Sequence, residues 1–113
     1  MKPEFGRQPI WIPNTNVFIA DSGHLIIQVE LSSMRSDDLE IILEGRRLRV
    51  AGHRRNSEFS TAKDILVQEI RSGPFESVLD LPPGFDLAHA KAVYLNGVLT
   101  IDVPKEDSGP NPA

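Results

Sequence analysis

A chain of 113 residues has room for one domain with short tails, and at that size folding buries roughly two thirds of the surface an unfolded chain exposes, enough for a core without metal or disulfide staples. Its 40% hydrophobic and 25% charged residues are those of an ordinary globular protein, and the absence of cysteine excludes thiol nucleophiles, disulfides, zinc ribbons and thiolate-held iron–sulfur clusters. Twelve Lys plus Arg against sixteen Asp plus Glu leave a formal charge of −4, which repels a phosphate backbone and argues against a nucleic-acid partner.

Along the chain, the charges of Met1 to Arg7 are followed by no apolar run, and no stretch approaches the roughly 18 consecutive apolar residues of a membrane span. Neither an export signal nor a membrane anchor is expected, and the cytoplasm is the expected location. Asn16 to Ala20 is rich in β-formers, and Asp21-Ser22-Gly23 is a compact turn composition that pairs it with the next strand. There the period is two: Leu25, Ile27, Val29 and Leu31 share a face. Leu39, Ile41 and Leu43 alternate with Glu40, Ile42 and Glu44; Gly45-Arg46 supplies a turn, and Leu48 and Val50 point inward between outward arginines.

His53 to Asp64 is polar, carries Arg54-Arg55 and holds only Phe59 as a large apolar residue, so a long exposed loop is expected. Ile65 to Arg71 resumes β composition and reads as a strand. After Ser72-Gly73-Pro74, the segment Phe75 to Leu81 places Phe75, Leu79 and Leu81 on one face, with Pro74 arguing against a central position in a sheet. Asp86 to Ala90 suggests one helical turn. Lys91 to Leu95 and Val98 to Val103 flank Asn96-Gly97, the dipeptide suited to the two positive-φ positions of a type I′ hairpin. Pro104 stops the strand, and residues 106–113 have too little apolar surface to offset ordering entropy. Seven or eight short strands without a helix of ten residues predict an all-β fold, an antiparallel β-sandwich.

No catalytic or cofactor chemistry has a handle here. His24, His53 and His89 lack metal-ligand spacing, Asp37-Asp38 lacks a calcium-loop pattern, and neither a nucleophile elbow nor a P-loop is present. No enzyme, metal or cofactor is expected.

Leu95-Asn96-Gly97-Val98-Leu99-Thr100-Ile101-Asp102-Val103-Pro104-Lys105 resembles the terminal signature of the small heat shock protein (Hsp20) family. Upstream, Trp11 with Pro13, Asn16-Val17-Phe18, Val29-Glu30-Leu31, Asp37-Asp38-Leu39, Leu48-x-Val50-x-Gly52-x-Arg54, Glu69, Gly73-x-Phe75, Leu81-Pro82 and Ala92 follow in the family's order. The resemblance implies an immunoglobulin-like sandwich, the α-crystallin domain, over 11–105, with a short arm at 1–10 and a disordered tail at 106–113. It implies a holdase that binds unfolding client proteins without ATP, and assembly as a homodimer or small oligomer, or as a hetero-oligomer with longer relatives. A non-catalytic adaptor of the same fold is the alternative.

By the same resemblance, dimers would form by strand exchange of the loop His53 to Asp64, with Phe59 as its apolar anchor or as a contact within its own loop. A groove between the family's fourth and eighth strands would be lined by Ile41, Leu43, Ala92 and Tyr94, although such residues could equally be core. The tail lacks the family's Ile-x-Ile, and Ile10-Trp11-Ile12 offers one at the other end, either to dock in a neighbour's groove or to pack on its own subunit. The family's Pro-Gly after the third strand is Ser32-Ser33, and Ser77 and Ile70 stand where arginines are expected.

Overall fold

A computed structural model describes residues 10–107. Seven strands are found among them: β1 (Thr15–Ile19), β2 (Leu25–Glu30), β3 (Leu39–Glu44), β4 (Arg47–Arg54), β5 (Gly73–Asp80), β6 (Lys91–Leu95) and β7 (Val98–Val103). They form an antiparallel four-stranded sheet in the order β1-β2-β7-β6 and an antiparallel three-stranded sheet in the order β3-β4-β5. Short 3-10 turns at Ser36–Asp38 and Leu87–His89 and a single α-turn, α1 (Ser57–Ser60), complete the structure. The expected sandwich is thus present, and Pro74 falls on an edge strand, as its missing N–H requires.

The period-two pattern becomes the core. Leu25, Ile27 and Val29 of β2 face Leu99, Ile101 and Val103 of β7 on the inner side of one sheet, and Leu48, Val50 and Phe75 close over them from the other. Each such side chain, fully withdrawn from water, contributes about 1.5–3 kcal/mol of transfer free energy. On the outer side of the smaller sheet Arg49 bonds Glu76 and lies 3.7 Å from Glu40, while Arg47 meets Asp80 at 3.0 Å. The hydrogen bond that Arg49 donates to the Glu76 carboxylate holds the guanidinium in its charged form, raising its pKa above the usual arginine value.

Asn96 and Gly97 take φ of 52° and 79°, the two left-handed positions of the expected hairpin turn. Ser33 also sits at φ 62°, in the slot where the resemblance places glycine, and a non-glycine residue there stores backbone strain. Ser33→Gly is expected to raise the unfolding free energy by about 0.5–1 kcal/mol, read as a higher urea midpoint at constant slope.

One expected element is missing. Ile65 to Arg71 forms no strand, because its β-rich side chains lie on a loop with no strand of this chain beside it to complete a hydrogen-bonded ladder. The tail is held at its root, where the Glu106 N–H donates to the Gly84 carbonyl at 2.8 Å. The expectation of disorder for the tail beyond Asp107 lies outside the described residues, as does most of the arm.

Candidate functional site

Two features lack the cover that a sandwich gives its inner faces. The first is at the edge where β3 and β6 face each other. Ile41 and Leu43 stand opposite Val50 and Leu48 across the β3–β4 ladder, and Ala92 stands opposite Ile101 across β6–β7. In an antiparallel ladder directly opposed residues share a face, so all three point between the sheets. They are nevertheless open to solvent, with Ile41 at 40% and Leu43 at 39% exposure, because no further strand closes this side. They line a cavity of about 200 Å³ whose floor is Leu48, Ile101 and Val103 and whose end is Leu87.

Tyr94 shares that inner face, opposite Leu99, but does not line the cavity. Its hydroxyl accepts from the Met34 N–H at 3.2 Å and donates to the Leu31 carbonyl. Tyr94 therefore pins the Ser32-Ser33 corner, a task its O–H fits better than lining an apolar slot would. The sequence did not single out Leu87, which reaches the cavity through the short turn before β6.

The second feature is the connection between β4 and β5, residues 55–72. Its one helical turn is capped by Asn56, whose Oδ1 accepts from the Phe59 N–H at 3.1 Å. Phe59 is half-buried in its own loop, where it shares a small pocket with Val67 and Ile70. A larger cleft, about 1010 Å³, separates the loop from Trp11 and the ends of β4 and β5. The rest of the loop's apolar side chains face water: Leu66 is 91% and Val67 72% exposed, with Ile65 and Ile70 also exposed. At the free edge of the larger sheet, β1 likewise presents Val17, Phe18 and Ile19 to solvent. Phe59 was read from the sequence as the loop's apolar residue; the more exposed group is Ile65 to Val67, whose signal was an apolar run inside a segment lacking a partner strand.

Trp11 and its neighbours divide. Trp11 is buried against its own subunit, its ring centroid 5.2 Å from that of Phe75 and its Nε1 donating to the Gly73 carbonyl at 3.1 Å. Its backbone bridges to the β5 edge through Trp11 N–H to Pro74 O and Glu76 N–H to Trp11 O. Ile10 and Ile12, on either side, are exposed.

Of the histidines, His24 Nδ1 lies 2.6 Å from Asp102 and His89 Nδ1 lies 2.7 Å from Asp86. No three His, Asp or Glu side chains gather in a metal-holding group among the described residues. No helix among them is long and apolar enough to cross a membrane.

Among the described residues the protein is a seven-stranded antiparallel sandwich that leaves apolar side chains exposed at its sheet edges and along one long loop. The pattern of the Hsp20/alpha crystallin family matches residues 18–112. Small heat shock protein C2 of Rickettsia felis is 28% identical over 98 residues, covering 87% of this chain and 63% of that protein. Small heat shock protein IbpB of Escherichia coli is 32% identical over 98 residues, 87% of this chain and 66% of that one. The chain therefore spans slightly less than two thirds of the length of either relative. In fold it is similar to a small heat-shock protein from Xylella fastidiosa, with a TM-score of 0.82 at 22% identity over 93% of this chain and 95% of that one. The chain belongs to the Hsp20/alpha crystallin family.

Proposed function

We propose that this protein is an ATP-independent holdase of the cytoplasm, which binds partly unfolded clients through apolar surface and acts without catalysis. The observation that carries this reading is the large amount of aliphatic surface left facing water at two defined places, the β3–β6 cavity and the 55–72 loop. Contiguous exposed apolar surface on a soluble domain marks a place where another chain binds. The cavity suits an extended apolar segment, since alternate residues of a docking strand match alternate pockets along a sheet edge. Ile41, Leu43 and Ala92 supply its walls.

The loop serves self-assembly in this reading. Ile65 to Val67 has strand composition and no strand to pair with, and β1 is an edge strand with unpaired backbone; joining the two between subunits would satisfy both. The result is a homodimer, with small oligomers following if Ile10 and Ile12 dock in a neighbour's cavity. That docking would have to proceed with Trp11 still seated in its own subunit.

The test is light scattering from a heat-unfolded model protein, with this chain added over a range of ratios in the absence of ATP, alongside its mass in solution. Suppression near stoichiometric ratios is the expected result; a folded dimer that suppresses nothing would reject the holdase reading in favour of an adaptor for one folded partner. An Ile10→Ser/Ile12→Ser variant run in parallel is expected to lose any species larger than a dimer, and an unchanged mass at all concentrations rejects the docking.

A further inference from the structure

Arg54, the last residue of β4, holds together three segments that are far apart in sequence. Its guanidinium lies over the indole of Trp11, with Cζ 4.3 Å from the ring centroid. On its edge, Nε donates to the Arg71 carbonyl at 2.8 Å, and Nη2 donates to the same oxygen. One planar group thus touches the segment leading into β1, the end of β4 and the returning end of the loop. Other arginines of the chain, Arg35, Arg47 and Arg49, pair with carboxylates, whereas Arg54 has no ion pair among the described residues. Its charge is directed to a ring face and a carbonyl dipole, and the rigid fork lets it serve both at once in a way a lysine cannot.

We propose that Arg54 is the positioning residue of the 55–72 loop, coupling the seating of Trp11 to the anchoring of the loop's base. The Arg71 carbonyl fixes the plane of the guanidinium, and that plane is what lies against the indole; the indole in turn screens one face of the guanidinium from water and restricts its rotamers. Loss of either contact weakens the other. The coupling is reciprocal: withdrawing the lead-in loosens the loop base, and releasing the loop loosens the lead-in, by the same factor. The coupling is a property of one subunit. Its consequence rests on the proposed exchange of this loop, for which it sets the angle at which the loop leaves the body.

Two probes report the two ends. The single tryptophan of the chain is Trp11, so acrylamide quenching of its fluorescence reads its seating. Tryptic cleavage after Arg71, normalised to cleavage after Lys63 in the same loop, reads release of the very carbonyl that Arg54 grips. Arg54→Ala is expected to speed cleavage after Arg71 by about tenfold, within the range of ordinary coupling, and to raise quenching of Trp11. Trp11→Phe is expected to speed the same cleavage although it makes no contact with Arg71, and the double variant should be no faster than the faster single. Arg54→Lys keeps a cation at the ring but loses the two-pronged grip, so quenching stays near that of the parent while cleavage rises. It also carries the test should Arg54→Ala fold poorly.

Cleavage rates that multiply in the double variant overturn the coupling, as does a Trp11→Phe protein cleaved no faster than the parent. Sedimentation of the unmodified protein separates this from the assembly reading: a monomer at every concentration rejects loop exchange, and leaves the intramolecular cycle to be judged on its own rates.

Discussion

Gly52→Ala is expected to destabilise the protein by about 3 kcal/mol or more, near the upper end for a single added methyl group. Gly52 sits in β4, opposite Leu39 on one side and Phe75 on the other. A Cβ built on it would stand 2.2 Å from the Asp38 carbonyl oxygen and 2.7 Å from Cζ of Phe75. The ring could tilt, but the carbonyl belongs to the short turn that starts β3, so the backbone must move. Phe75→Leu in the Gly52→Ala background should therefore restore stability only in part. Gly45→Ala is the matching control: nothing lies within 4 Å of its Cβ, and only its φ of 62° opposes the change, so a cost of about 1 kcal/mol is expected. Urea unfolding of the three variants measures the difference; equal costs at positions 45 and 52 would reject the close-approach argument.

The consequence reaches the β3–β6 cavity. Ile41 and Leu43 are carried by the strand that directly follows Asp38, so displacement of that carbonyl shifts one wall against Ala92. On the proposed holdase reading, a Gly52→Ala protein that still folds is expected to lose client holding beyond what its reduced stability explains.

The sequence made some of these elements legible for definite reasons. The β6–β7 hairpin followed from Asn96-Gly97, whose local chemistry demands one turn type whatever surrounds it. The core face of β2 and of Leu31 just beyond it followed from Leu25, Ile27, Val29 and Leu31, because a period of two admits one arrangement when one side is buried. Ile41 was less readable. Its alternation with Glu40 and Ile42 is the same whether a neighbouring strand covers it or not, and the structure leaves it open because β3 and β6 are both edges.

Tyr94 illustrates the opposite limit. The resemblance grouped it with Ala92 as a groove residue, but its hydroxyl is claimed by Leu31 and Met34, and pairing over so long a sequence separation has no local signature. Trp11 was readable as an apolar residue between two isoleucines; that its indole N–H reaches Gly73 and its backbone the β5 edge depends on a topology no short pattern contains. Ile65 to Arg71 was misread as a strand because propensity reports what a segment can pair with, whereas a strand exists only where a partner lies beside it.

That last point sets the largest expected effect on assembly. If the proposed dimer forms through this loop, Leu66→Pro/Val67→Pro is expected to raise its dissociation constant by about a hundredfold or more while leaving the stability of the isolated subunit within about 0.5 kcal/mol. Proline removes a backbone donor, and successive N–H groups of a strand point to opposite sides, so the double change deletes whichever one faces a partner. Each lost ladder bond costs about 0.5–1.5 kcal/mol, and bonds beyond the break are lost with it. Within one subunit the change breaks no strand ladder, since Leu66 and Val67 lie on an exposed loop outside every strand, and what it costs there is the contact Val67 makes at the edge of the Phe59 pocket. Sedimentation equilibrium gives the first quantity and urea unfolding at low protein concentration the second. A dissociation constant unmoved by both prolines would mean that the loop does not pair with β1 of another subunit.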